Sequence, residues 1–250
     1  MKVVVIGGTG LIGSGVVARL GEHGHEAVVA APSTGVDTIT GEGVAEAVRG
    51  ADAVVDVSNS PSFADEDVLA FFRTSTGTLV EAAKAAGVGH YVALSVVGAD
   101  RAPDSGYLRA KVAQERLIRK SGLPWTLVRA TQFFEFAAGI ANSATVDGVV
   151  TLSDGAVRPV AAAEVSALVA RTSVGAPRAD VVEIGGPEVL GLDGWIRTAL
   201  AARGDARTVV TDPTARYFGT VLDDRTLLPG PDAVTGETRL ADWLTQDTHR

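Results

Sequence analysis

A doubly wound α/β fold, a parallel sheet with helices on both faces, is predicted by three observations. The chain opens on a β-branched apolar run that passes through a glycine-rich turn into a helical stretch. Short apolar runs and longer amphipathic stretches then alternate as far as about residue 130. The composition, 46% hydrophobic and 21% charged over 250 residues, suits a globular α/β protein with a large core. Such alternation demands parallel strands joined by helical crossovers.

Each element has its own signal. Val3–Ile6 is a buried-strand run, and Leu11–Leu20 carries apolar residues on one helical face. Residues 26–31 form a second strand, ended by Pro32-Ser33-Thr34-Gly35. A short helix is expected at 42–49 and a strand at 51–57, closing in Ser58-Asn59-Ser60-Pro61. Residues 65–86 read as a long helix with an acidic first turn and Gly87 just past its end. A strand at 91–95, a helix at 106–121 stopped by Gly122 and Pro124, and a strand at 125–129 follow. Beyond residue 130 the pattern loosens, with a helix at 162–171 and a strand at 181–184. The chain reads as one domain, 1–250. Residues 1–130 form its core, and 131–250 complete that core and add a small C-terminal lobe that would bind substrate.

Bulk properties exclude several functions. Without cysteine there are no disulfides, thiolate metal sites or thiol nucleophiles. A net charge of −8 lacks the basic balance of a nucleic-acid binder. No apolar run is long enough to span a membrane. Met1-Lys2 leads straight into the first strand, so no signal peptide is expected and the protein is expected in the cytoplasm. His23, His25, His90 and His249 form no metal-ligand pattern, and no metal is expected. The Asp65-Glu66-Asp67 run is explained by a helix N-terminus. Glu115 and Arg119, four apart, read as a surface ion pair.

The chemistry begins at Gly7, Gly10 and Gly13, spaced G-x-x-G-x-x-G between strand and helix. The first glycine permits the tight turn, and the second lets backbone approach a pyrophosphate. The third lets helix pack closely on strand. The expected ligand is therefore a dinucleotide. Tyr107 and Lys111 stand four apart on a helix and share a face. A nearby ammonium is expected to lower the phenol's pKa and ready it for proton transfer. Ser95, ending the preceding strand, would polarise a substrate carbonyl. The second strand ends Ala30-Ala31-Pro32-Ser33-Thr34, with no carboxylate to repel a 2′-phosphate, and Ser33 and Thr34 would donate to one. NADP(H) is thus favoured, with NAD(H) still open, since no arginine stands there.

Four segments occur in order: Gly7-Gly-Thr-Gly-Leu-Ile-Gly13, Leu94-Ser-Val-Val-Gly-Ala-Asp100, Gly106-Tyr-Leu-Arg-Ala-Lys111, and the 122–135 run with Thr131-Gln-Phe-Phe134. Together they resemble the NmrA-like branch of the atypical short-chain dehydrogenase/reductases, across roughly residues 1–190. The resemblance implies a Rossmann fold with NAD(P) at the sheet's C-terminal edge. It implies that Gly7, Thr9, Gly10, Leu11, Ile12 and Gly13 hold the pyrophosphate, and that Ser58 and Asn59 lie along the adenosine side. Leu94 and Ser95 would approach the nicotinamide, and Lys111 its ribose. Thr131, Gln132, Phe133 and Phe134 would flank the nicotinamide, the two phenylalanines opening the substrate pocket unless they serve as core. Many NmrA-like proteins lose the tyrosine or the lysine; this chain keeps both. The expected activity is hydride transfer to a small carbonyl, quinone or similar unsaturated substrate. The alternative is a non-catalytic redox sensor acting through a protein partner; a transient-cofactor epimerase or lyase ranks last. A monomer or a homodimer is expected.

Overall fold

The computed structural model describes residues 1–247. Its elements begin β1 (Lys2–Ile6), α1 (Leu11–Glu22), β2 (Glu26–Ala30), α2 (Val44–Ala47), β3 (Ala53–Asp56), α3 (Asp65–Ala85), β4 (His90–Val96), α4 (Gly106–Lys120) and β5 (Trp125–Ala130). They continue α5 (Ala137–Ser143), β6 (Thr145–Val146), β7 (Val149–Leu152), β8 (Ala156–Val157), α6 (Ala162–Ser173), β9 (Val181–Gly185), β10 (Leu190–Gly191) and α7 (Leu192–Ala202). The last are β11 (Thr208–Thr211), β12 (Arg216–Tyr217), β13 (Thr220–Val221), β14 (Val234–Thr235) and α8 (Leu240–Asp247).

Seven strands join in the order β14-β9-β5-β4-β3-β1-β2, the doubly wound arrangement expected from the alternation. β1 lies between β2 and β3, parallel to both, with Ile6 opposite Ala30 on one side and Asp56 on the other. The chain leaves β1 toward one edge and returns to build toward the other. That reversal opens a crevice beyond the carboxyl ends of β1 and β3, where ligands of such sheets bind. The strand expected at 51–57 is shorter, because the Asp56 carboxylate accepts the Ser58 N–H and turns the chain. The short helix is trimmed to Val44–Ala47 because Gly43 enters it with φ +69°, in a close approach to the Gly35 carbonyl.

The chain divides into two compact units. The first comprises Met1–Ser95, Gly106–Arg129 and Ala163–Val182; the second comprises Val96–Ser105, Ala130–Ala162 and Glu183 onward. In the first, Val4, Ile6, Val54, Leu79, Tyr91, Ile118 and Leu127 form one core cluster. Val68, Phe72 and Ala110, with Tyr107 against them, form another between α3 and α4. The second unit has its own core around Phe134, Trp195, Ile196 and Trp243. Among the described residues, no helix is long and apolar enough to cross a membrane.

Candidate active site

The glycine turn has the geometry that its spacing predicts. Gly7 has φ +78°, and its N–H donates to the Ala30 carbonyl at 2.8 Å. A Cβ on Gly7 would stand 3.0 Å from the Ser58 backbone, so the loops after β1 and β3 touch at the crevice. A Cβ on Gly13 would overlap the Gly7 carbonyl, which is why α1 packs so tightly on its strand. Gly10 caps α1 in extended geometry, and no side chain caps that end or places an acid in its first turn. Thr9, Gly10 and Leu11 are exposed, while Ile12 and Gly13 are buried. The first-turn amides and the positive end of the helix dipole therefore suit an anion such as a pyrophosphate.

Residues along the rest of the crevice are mixed in their fit. Ser58 donates its hydroxyl to Asp56 Oδ1 at 2.6 Å, and Asn59 is exposed. Ser33 is exposed in the turn that ends β2. Thr34 is not the open donor expected from the sequence. Its hydroxyl accepts the Ala31 N–H at 2.9 Å and donates to the backbone carbonyls of Ala31 and Val29, closing its own turn. Asp37 likewise spends its carboxylate on the N–H groups of Ile39 and Thr40.

Tyr107 and Lys111 share a face of α4, and both meet the Phe72 ring from α3. The Lys111 ammonium sits 4.3 Å over that ring, and the Tyr107 ring centroid lies 6.3 Å from it. Lys111 is only 3% exposed. Its Nζ donates to the Leu94 carbonyl at 2.9 Å and to Gln114 Oε1. Burial lowers its pKa to about 8, against the opposing pull of Asp56 and then Glu115.

Two expectations are corrected here. The Tyr107 phenol is not lowered by the lysine. Burial, with the Phe63 ring 5.4 Å away and Phe72 beyond, pushes it up to about 12. Nor is Glu115 a surface residue paired with Arg119. It is 3% exposed and takes two hydrogen bonds from Arg129 of β5, at 2.8 Å each. The exposed Arg119 reaches it only at 3.5 Å. Glu115 Oε1 also accepts the Ser95 hydroxyl at 2.7 Å. The Ser95 hydroxyl is thus engaged with Glu115.

The second unit holds the remaining candidates. Thr131 donates to the Arg158 carbonyl at 2.5 Å. Gln132 is buried with Oε1 lacking a hydrogen-bond partner. Phe133 stacks on Phe136, with centroids 5.1 Å apart. Phe134, 1% exposed against Trp195 and Trp243, is a core side chain and not a pocket wall, because aromatic neighbours enclose it. Among the described residues, no group of three His, Cys, Asp or Glu side chains is arranged to hold a metal. His90 is buried against Thr126 and Gly175, and His249 lies outside the described residues.

Sequence reasoning missed three residues. Asp56, 1% exposed, accepts hydrogen bonds from Ser58, Tyr91 and Gln114. Its signal was an acid closing the apolar run Ala53-Val-Val-Asp56. Gln114 lies three residues after Lys111, on the same helix face. Arg129 is a lone charge inside a buried strand, which called for a buried partner.

A glycine turn of this geometry at the switch point of a doubly wound sheet defines a nucleotide-binding α/β protein. The chain belongs to the family described as NAD(P)H-binding, whose model matches residues 7–172. A relative from Streptomyces griseus subsp. griseus, (4-alkanoyl-5-oxo-2,5-dihydrofuran-3-yl)methyl phosphate reductase, is 31% identical over 210 residues, covering 75% of this chain and 69% of that protein. The NADPH complex of the Escherichia coli NADPH-dependent quinone oxidoreductase superposes with a TM-score of 0.71 at 20% identity, covering 98% of this chain and 99% of that one. The dTDP-glucose 4,6-dehydratase of Streptomyces venezuelae, with NAD bound, superposes with a TM-score of 0.76 at 18% identity, covering 100% and 96%. At these identities the two structures speak for the fold.

Proposed function

We propose that this protein is an NADPH-dependent reductase of a small, electron-poor unsaturated compound, an enone-like carbonyl or a quinone. The observation that carries the reading is the buried Lys111 ammonium on the Leu94 carbonyl, in the same compact unit as the uncapped glycine turn. When bound, the reduced nicotinamide supplies the hydride. The residues of this chain do the rest. The amides of the α1 N-terminus take the pyrophosphate, and Lys111 donates to the ribose as a compact cation. Tyr107 keeps its proton at neutral pH, being held near 12, and so serves as a proton donor in the reducing direction. Two further facts support the choice of substrate and cofactor. The Streptomyces griseus relative is named for an unsaturated 5-oxo-2,5-dihydrofuran phosphate. The end of β2 presents Ser33 and no free carboxylate to a 2′-phosphate.

A second reading, a redox sensor working through a protein partner, draws on the Ser95 hydroxyl being committed to Glu115. The test is a titration with NADPH and NADH by fluorescence, then NADPH oxidation against a panel of enones and quinones. Tighter NADPH binding, and oxidation lost in Lys111→Ala, are the expected results. Tight binding of both redox forms with no oxidation of any compound would sink the reductase and leave the sensor.

A further inference from the structure

We infer that Asp56 and Gln114 are positioning residues that hold Lys111 as a fixed, charged donor, through one buried hydrogen-bonded chain running from the loop after β3 to β4. This rests on reading Lys111 as the ribose-side residue of the cofactor site. At one end, the Ser58 N–H and hydroxyl donate to Asp56 Oδ1 at 3.1 and 2.6 Å. On Oδ2, the Tyr91 hydroxyl donates at 3.3 Å and Gln114 Nε2 at 2.9 Å. Gln114 Oε1 accepts from Lys111 Nζ, which also donates to the Leu94 carbonyl. Asp56, Tyr91, Gln114 and Lys111 are all buried.

Charge balance makes the chain more than packing. The other buried acid beside Lys111 is Glu115, and Arg129 matches it with a bidentate pair. Among the described residues Asp56 touches no cation directly, since its donors are a serine, a tyrosine and an amide. Lys111 and Asp56 are therefore each other's counter-ions, separated by a single amide. That amide has one workable orientation. Reversed, it would set its NH2 against the ammonium and its oxygen against the carboxylate. A buried ammonium without such compensation tends to lose its proton. The charged and titratable groups around Lys111 are Asp56 from β3, Tyr91 from β4, Tyr107 and Glu115 from α4, and Arg129 from β5; α3 contributes the Phe72 ring. Burial lowers Lys111, and Asp56 is the largest force raising it again.

The test reads the lysine directly, without cofactor. The chain has four lysines, Lys2, Lys84, Lys111 and Lys120, so ¹⁵N-lysine spectra over a pH series resolve Lys111 by its loss in Lys111→Met. The wild-type midpoint is expected at about 8. Asp56→Asn should lower it by about one pH unit, a tenfold loss of proton affinity. Gln114→Met, which changes no charge, should move it the same way and decides the matter if Asp56→Asn does not fold. An unchanged midpoint in Gln114→Met, or in a folded Asp56→Asn, overturns the inference. The NADPH Kd of Lys111→Met then tests the underlying reading separately. A shifted midpoint in the relay variants with a wild-type Kd in Lys111→Met would keep the relay and discard the ribose role.

Discussion

Replacing glycine by alanine at two helical positions should give opposite results. At Gly13, a Cβ would overlap the Gly7 carbonyl oxygen and stand 2.7 Å from the Gly7 carbonyl carbon and the Gly8 Cα. Ordinary contact begins near 3.4 Å and the Gly7 oxygen would stand 2.1 Å from the added Cβ, so backbone would have to retreat by about 1.3 Å. It has little freedom to do so. Gly7 is tied to Ala30 at 2.8 Å, and the adjoining strand is paired on both sides. Overpacking of this kind costs about 1–3 kcal/mol, offset by the roughly 1 kcal/mol that alanine gains over glycine in a helix. Because the overlap is with tethered backbone, the upper end of that range applies, and the net expectation is a loss of about 2 kcal/mol. At Gly77, inside α3, a Cβ would meet nothing within 4 Å. There Gly77→Ala should stabilise by about 0.5–1 kcal/mol. Urea unfolding followed by circular dichroism measures both. Fluorescence titration should show NADPH binding weakened about tenfold or more in Gly13→Ala, because a fold-change of ten needs only about 1.4 kcal/mol of lost fit. A Gly13→Ala protein as stable as wild type, with unchanged NADPH affinity, would refute the close-approach argument.

Other predictions follow from the buried charges. Glu115→Gln should cost about 3–5 kcal/mol, since it strips Arg129 of its charged partner inside the protein. Arg119→Ala should cost under about 1 kcal/mol, and a larger loss would restore the surface pair as the dominant one. Burial lowers the His90 pKa, so the unfolded chain binds a proton there more readily than the folded one. Its contribution to stability is present above about pH 6.5 and is lost as pH falls through the lower folded value. Unfolding midpoints at pH 7.5 and 5.5 should differ more in wild type than in His90→Gln; equal differences would remove His90 as the cause. For Tyr107, the ultraviolet difference between wild type and Tyr107→Phe should show phenolate only near pH 12. Ionisation near neutrality would make Tyr107 the activated phenol that the sequence alone suggested.

Much of the fold was legible because its signals are local. The β-branched runs of β1 and β3, the acidic first turn of α3, and Gly122 with Pro124 after α4 act within a few residues, where sterics and helix dipoles operate. Boundaries moved where a distant partner intervened, as at Gly43 against Gly35. The site was legible to the same degree. Tyr107 and Lys111 do share a helix face, since that depends only on helical period.

The glycine turn was determined by sequence alone. A positive φ at Gly7 and the bare approach at Gly13 are backbone requirements that no other residue type meets. Ionisation and pairing were decided by tertiary structure. Arg119 is one helical turn from Glu115, but Arg129 arrives from β5 with two aligned donors at a buried position, and there the closer, buried partner wins. Lys111 is near Tyr107 in sequence. Yet Phe63, just before α3, and Phe72 of α3 surround the phenol and make desolvation the larger effect, so its pKa rises where proximity to an ammonium alone would lower it.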